Sequence, residues 1–545
     1  MKESRGYSAT ATWSGSIFRA TALAAALLIL ATFLFACQPV IAPASDEVNS
    51  EPWAPTALPA ALPAEDAATS APTQPMTAPL DLADLSLFAP AMIPAAVGDV
   101  AAVISATHPT RYLIDVTFDP ETRSVVGQET VEYTNNGKDD LAYVYFRLFP
   151  NFPGYGQSGV AMLTVNGEVV TPRPELKGSA LRVPLRPALR PQQTVTFQVD
   201  FAVDVPTELS GNYGSFAYVD DVLALAGFYP LIPVHDDKGW QMEIAPNYGD
   251  IIFSATSLYL VRFTLPTGWT VVASGSTLSV ADNVDGTTTW TLASGPMRDF
   301  NIIASPLYVT SERRVGDVVV RSTYKAKDEA GGKRALEYAA SALAYFNQAF
   351  GPYPFAELDV AATPNTAAGI EYPGLIVIAD RLYGEVGGFF EWATVHETAH
   401  QWWYSLVGND QVDEPWLDEA LTQYSTFMYL EKAMGEVGAE AARQVAFENP
   451  YRQLKAAGRD QAVGQPVRAF SQDDYGSVVY SKGPLFFHAL RQKMGDEKWL
   501  TFLQTYLQAH RYRIATPQSL LATAAEVCQC DVQPLYRQWI TGTQR

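Results

Sequence analysis

The chain is poor in cysteine, in histidine and in positive charge. Three cysteines in 545 residues are too few for a disulfide framework. With 48% hydrophobic residues none is needed, because a chain of this length can bury two or three domain cores unaided. Lysine and arginine number 37 against 58 acidic residues, for a net charge of −21. That balance argues against a nucleic-acid partner, since phosphate backbones require a basic face. An acidic exported protein is the simpler expectation.

What is present at the N-terminus fits export. Lys2, Arg5 and Arg19 precede the apolar run Ala20 to Ala36, and Cys37 follows at once, which are the parts of a signal segment. "LFAC", ending at Cys37, resembles the lipobox of bacterial lipoproteins, with Phe35 where a small residue is usual. The resemblance implies a lipid-anchored N-terminus at Cys37; an uncleaved transmembrane anchor and a secretory signal are the alternatives. All three place the remainder outside the cytoplasm. Residues 38–106 are dominated by Pro, Ala, Ser and Thr and read as an extended, disordered tether. Cys528 and Cys530 stand two apart in "EVCQCDV" and read as small residues in a turn, with a local disulfide or accessory metal site as alternatives.

From 107 to 308 the pattern has period two, as in "RYLIDVTFDP" and "TVTFQVDFAV", punctuated by turn signals such as "NNGKDD". This predicts a large antiparallel β domain. From 309 to 545 the period changes. "EAGGKRALEYAASALAYFNQAFG" is helical, "ELDVAAT" and "GLIVIAD" are short strands, and helices dominate from Phe389 onward. The fold class expected is therefore α+β and multidomain, with an N-terminal antiparallel β domain followed by an α/β and then helical domain.

Two of the six histidines stand four apart in "HETAH", His396 to His400. On a helix that spacing stacks both imidazoles on one face, aimed at one point, and a metal ion is the reason to do so. Glu397, about 100° further round the helix, is placed to hold a water and act as a base. A catalytic zinc needs a third protein ligand and an open fourth position. Trp403 and Leu406 stand where a metzincin needs Gly and His, so that class is excluded. In "DEPWLDEALTQYSTFMYLEKAMG" Asp413 is the expected N-cap, and the apolar stripe runs through Trp416, Ala420, Tyr424 and Phe427. Glu419 lies on that stripe, where a carboxylate is costly unless paired or bound to metal, so it is the expected third ligand. Asp418 beside it reads as a solvated helix-start acid, with support of a histidine as the alternative.

"HETAHQWW", eighteen residues and then Glu419 in "WLDEALTQY" resemble the M1 family of zinc aminopeptidases. "GFYPLIPV" and "MRDFNIIASP" look like that family's N-terminal β domain, so the likeness covers most of residues 107–543. The resemblance implies a thermolysin-like (gluzincin) catalytic domain, a short form of the family with a more open active site, and one Zn²⁺ per chain held by His396, His400 and Glu419. "SVVYSKGPLFFHAL" resembles the family's Tyr-x-Lys-Gly segment, which makes Tyr480 the donor to the oxyanion, a role suited to a neutral phenol. Tyr475 could line the same pocket. "AAGIEYPGLIVI" resembles the Gly-x-Met-Glu-Asn motif, which makes Glu371 the group that binds the substrate's α-amine, although Ala368, Ile370 and Tyr372 replace the motif's Gly, Met and Asn.

The resulting expectation is an extracytoplasmic, membrane-anchored zinc aminopeptidase acting on peptides, with Glu397 and Tyr480 catalytic. A zinc endopeptidase on the same scaffold and a non-catalytic surface peptide-binding protein are the alternatives. Intact Glu397 and Tyr480 argue against the last, because a binding scaffold has no use for both.

Overall fold

In the computed structural model, described for residues 80–152, 155–209, 211–385 and 388–542, the period-two segments form an eight-stranded sheet. Its order across the sheet is Ser276–Asp282, Thr287–Ala293, Leu258–Pro266, Arg111–Asp119, Ser124–Thr134, Thr194–Asp204, Gln157–Val165 and Glu168–Val169. Alternation fixes the faces: Tyr112, Ile114, Val116 and Phe118 point inward from one strand. Every pairing in this sheet is antiparallel except that of Arg111–Asp119 with Leu258–Pro266, which is parallel. The long excursion between these two strands, residues 120–257, permits the parallel pairing. A three-stranded and a four-stranded sheet close over the same core.

A second sheet begins at Tyr308. Its order is Tyr308–Val315, Val318–Lys325, Glu357–Thr363, Leu375–Ala379 and, at the edge, Gly369–Ile370. Leu375–Ala379 is buried at every position, as a strand covered on both faces should be. The helix Glu329–Ala349 packs on this sheet through Leu336, Ala339, Ala340, Leu343 and Phe346, spaced three and four apart. Gly332 permits that approach, because a Cβ there would lie 2.0 Å from the ring of Tyr324. Helices Gly388–Ala399 and Glu419–Arg443 follow and pack on one another.

The two halves are tied by Arg298, which is fully buried. Its guanidinium donates to the carbonyls of Tyr404 (2.6 Å), Ser254 (3.2 Å) and Arg513 (2.6 Å). Gly408 has no side chain for a physical reason: a Cβ there would lie 1.9 Å from the guanidinium carbon.

The tether expected for residues 38–106 does not extend to residues 80–106. These form the turns Leu85–Ala91 and Pro94–Ala96 and enter the helix Gly98–Thr107, burying Phe88, Met92, Ile93, Val100 and Val103. Each such side chain contributes about 1.5–3 kcal/mol, which composition alone does not register. The strap bonds to both halves, through Ile93 N to Pro354 O (2.9 Å), Asp99 to Arg511 (2.6 Å) and Arg111 to Leu82 O (3.0 Å). The apolar segment, Cys37 and the first part of the tether lie outside the described residues. Among the described residues no helix is long and apolar enough to cross a membrane. Cys528 and Cys530 are joined in a disulfide, not left as small turn residues.

Candidate active site

His396 sits in the helix Gly388–Ala399, and His400 continues its last turn, donating its N–H to the carbonyl of His396 (3.2 Å). Their Nε2 atoms lie 3.1 Å apart, and each is 3.2 Å from Oε2 of Glu419. Tetrahedral donors at 2.0–2.1 Å from zinc stand about 3.3 Å from one another, so the triangle has the size of a zinc site. Both rings are turned the right way by their far nitrogens. Nδ1 of His396 donates to Oε1 of Gln423 (3.0 Å), which also accepts from Nε1 of Trp392 (2.9 Å). Nδ1 of His400 donates to the carbonyl of Trp403 (2.9 Å). With the proton on Nδ1, the lone pair of each Nε2 faces the common point.

The electrostatics favour a cation at that point. Burial works against charge on His400, yet the carboxylates of Glu371 and Glu419 outweigh it and raise its pKa to about 10. Burial likewise opposes ionisation of Glu419, but the two histidines hold its pKa below the usual carboxylate range. Glu397 lies on the adjacent side, 5% exposed; burial first and Glu371 second push its pKa well up, as suits a group that must take a proton. Glu371, Glu397 and His400 themselves come within 4.8 Å of one another.

Glu419 is the first residue of its helix. Asp413 is not the N-cap expected. Asp410 accepts from the backbone of Val412 and Asp413, Arg468 pairs with Asp413, and Pro415 opens a separate 3-10 turn. The cap is Asp418, whose Oδ1 accepts from the N–H of Glu419 (2.8 Å). Asp418 is neither solvated nor bonded to a histidine: it is 1% exposed, and burial raises its carboxyl to about 8.

Tyr480 lies in the irregular turn Val478–Lys482 between two helices, and its hydroxyl donates to Oε1 of Glu419. Its ring centre is 6.0 Å from that of His396, so the phenol stands at the ligand triangle. Lys482 fixes the turn through Asp460 (2.7 Å) and the carbonyls of Gln461 and Gly542. Tyr475 packs edge-on against Tyr480 at 5.7 Å.

Glu371 follows the edge strand Gly369–Ile370, which passes directly over the histidine helix. A Cβ on Gly369 would lie 2.4 Å from the side chain of Glu397, so only glycine allows this approach. Gln401 ties the strand's exit to that helix by bonding Tyr372 O (3.0 Å) and Gly374 N (2.9 Å). Sequence reasoning missed Gln401, and also Gln423, Gln411 and Asp250. Gln411 donates to Oε1 of Glu371 (3.2 Å). Asp250 arrives from the β domain and lines the same cavity as Glu371, its pKa raised by burial and then by Glu371. Gly249, at φ +70° and with a Cβ position 3.3 Å from the Tyr475 hydroxyl, sets that turn; "YGD" was its sequence signal.

Residues 334–539 match the sequence model of the peptidase family M1 domain. By that match these residues resemble an M1 peptidase domain. Aminopeptidase M1-B of Oryza sativa subsp. japonica is 27% identical over 220 residues, which are 38% of this chain and 25% of the rice protein. Aminopeptidase N of Lactococcus lactis subsp. cremoris is 24% identical over 248 residues, 43% of this chain and 29% of that protein. The chain thus spans about a quarter to a third of the length of these curated relatives. The fold has a counterpart as well. A crystal structure of an M1 zinc metallopeptidase from Deinococcus radiodurans superposes over 80% of this chain and 94% of its own, with a TM-score of 0.62 at 21% identity. The matched segment contains His396, His400 and Glu419, so the likeness and the donor triangle coincide.

Proposed function

We propose that the protein is a zinc aminopeptidase that removes N-terminal residues from peptides. The observation that carries this reading is the placement of a paired carboxylate site, Glu371 with Asp250, beside the ligand triangle. His396, His400 and Glu419 would hold a zinc ion, which when bound would supply Lewis acidity and a more acidic water. Glu397 takes the proton from the attacking water on its carboxylate and delivers it to the leaving amine. Tyr480 turns its hydroxyl from Glu419 to the carbonyl oxygen as that oxygen gains charge. Glu371 and Asp250 receive the α-ammonium, and Gln411 holds Glu371 in place.

Two carboxylates at that spot make the reading exo rather than endo, because an internal peptide bond offers them no cation. The test compares kcat/KM for one peptide, free and N-acetylated, in the parent and in Glu371→Ala. The parent should prefer the free peptide by at least about a hundredfold, since acetylation leaves a buried charge unpaired. Glu371→Ala should lose most activity on the free peptide and most of the preference. Equal internal cleavage of the acetylated peptide by the parent would establish an endopeptidase instead.

We place the protein outside the cytoplasm, lipid-anchored at Cys37, on the strength of the charged, apolar and cysteine-terminated start of the sequence. Cys37→Ser should abolish lipid labelling and the accompanying processing, as read by mass spectrometry of the mature N-terminus.

A further inference from the structure

Past Ala399, where the histidine-bearing helix ends, the chain turns through residues 400–405, and there it meets the β domain. Trp403 lends its carbonyl to Nδ1 of His400 (2.9 Å), with the Thr422 hydroxyl 3.2 Å from the same nitrogen. Tyr404, the next residue, stands at φ +148°, a backbone angle that residues with a Cβ rarely adopt. Such an angle persists only where the surrounding contacts impose it.

Those contacts come from two consecutive residues of the β domain. Nε of Arg298 donates to the Tyr404 carbonyl (2.6 Å), and the Tyr404 hydroxyl donates to Oδ2 of Asp299. Both β-domain side chains are themselves fixed. Arg298 also holds the carbonyls of Ser254 (3.2 Å) and Arg513 (2.6 Å), and Asp299 accepts from Nδ2 of Asn301 (2.7 Å). Arg298, Asp299 and Tyr404 are all buried, where such bonds are strong. Tyr404 is thus gripped at its carbonyl and at the tip of its ring. With both ends held, its φ sets the plane of the peptide unit that joins it to Trp403, and the carbonyl that His400 uses belongs to that unit. A return to negative φ would turn the plane and draw the carbonyl off Nδ1.

We infer that Arg298 and Asp299 are positioning residues for His400: acting through Tyr404, the β domain orients one imidazole of the ligand triangle and so sets how tightly zinc is retained. The inference rests on His400 being a zinc ligand and is independent of which peptides are cleaved. His396 supplies the contrast. Its Nδ1 is held by Gln423, on the helix that also bears Glu419, so its orientation is set within the catalytic domain. Disturbing the partner behind a metal-bound histidine typically costs about 10–100-fold in metal affinity.

The test measures zinc affinity of the full chain by competition with a fluorescent chelator, and the melting temperature of the same proteins without metal. Tyr404→Phe keeps the ring and deletes only the bond to Asp299. It should weaken zinc binding by about tenfold, the low end of that range, since Arg298 still holds the carbonyl. Asp299→Ala should act alike, and the double variant should be no weaker than the worse single, because both remove one bond. Tyr112→Phe, which loses a buried bond to Ile232 N elsewhere in the β domain, should lower the melting temperature and leave zinc affinity at the parent value. An equal loss of zinc affinity in Tyr112→Phe would reduce the effect to general softening and overturn the inference. Should Asp299→Ala fail to fold, Tyr404→Phe decides alone: parental zinc affinity in that variant overturns the inference, whatever its melting temperature. A parent that binds no zinc overturns the ligand assignment and the inference with it. Zinc binding that weakens as expected, in a parent that turns over no peptide, overturns the aminopeptidase and leaves the positioning role standing.

Discussion

Both halves of the molecule bury carboxylates, and the contrast between them separates structure from chemistry. In the β domain Glu129 is fully buried beside Tyr112 and Tyr259, and neither carboxylate oxygen has a hydrogen-bond partner. Burial alone raises its pKa well above the ordinary value, so it is carried as a neutral acid. In the catalytic domain Glu419 is as thoroughly buried, yet two imidazoles hold its pKa down. A buried acid is therefore not in itself a site. Convergence with groups of the opposite preference is what makes it one.

The comparison breaks most sharply by substitution at the two acids. Glu419→Ala should reduce zinc from about one per chain to a small fraction and abolish turnover, because two imidazoles alone make an incomplete set. Full zinc occupancy in that variant would remove Glu419 from the ligand set. Glu397→Gln should keep the zinc and lose at least about a hundredfold in kcat, having lost its base but not its shape. Metal analysis and turnover on the same preparations read both.

A smaller effect is expected at Tyr480, whose proposed role lies in the transition state. Tyr480→Phe should lower kcat by about ten- to a hundredfold with little change in KM. A change in KM alone would mean that the phenol binds substrate in its ground state and contributes nothing further.

How far the sequence carried these assignments depended on where the information lies along the chain. His396, His400 and Glu397 were legible because four-residue spacing becomes proximity on any helix. Glu419 was legible because a carboxylate on an apolar stripe is conspicuous. Asp250 and Gln411 were not, since they meet Glu371 across 121 and 40 residues of chain, and no local pattern encodes that meeting. Asp418 was misjudged because helix-start acids are ordinarily solvated, and only the packing of the second helix on the first shows it buried. Residues 80–106 misled through composition: Phe88, Met92, Ile93, Val100 and Val103 are few and interleaved with Pro and Ala, yet each is buried in a core shared with distant segments, which the sequence does not reveal.

The smallest expected effect tests the other side of the comparison, at Glu129. Because this acid pairs with nothing, replacing it by an apolar residue of similar size should help the fold, not harm it. Glu129→Leu removes a desolvation penalty of roughly 1–3 kcal/mol, and activity should be unchanged because Glu129 belongs to the β-domain core and not to the ligand triangle. The pH dependence gives the argument its sign. In the unfolded chain Glu129 ionises near 4.5, whereas in the folded protein its pKa is raised, so above pH 4.5 the folded state holds a proton that the unfolded state has released. The contribution of this group is thus fully present below pH 4.5 and is lost as pH rises toward the folded value. The gain from Glu129→Leu should accordingly be slight near pH 4.5 and larger at pH 8, measured as the difference in denaturation midpoint between variant and parent at each pH. A destabilised variant, or a gain that grows towards acid, would show that Glu129 is ionised and paired, and the contrast with Glu419 would then fall.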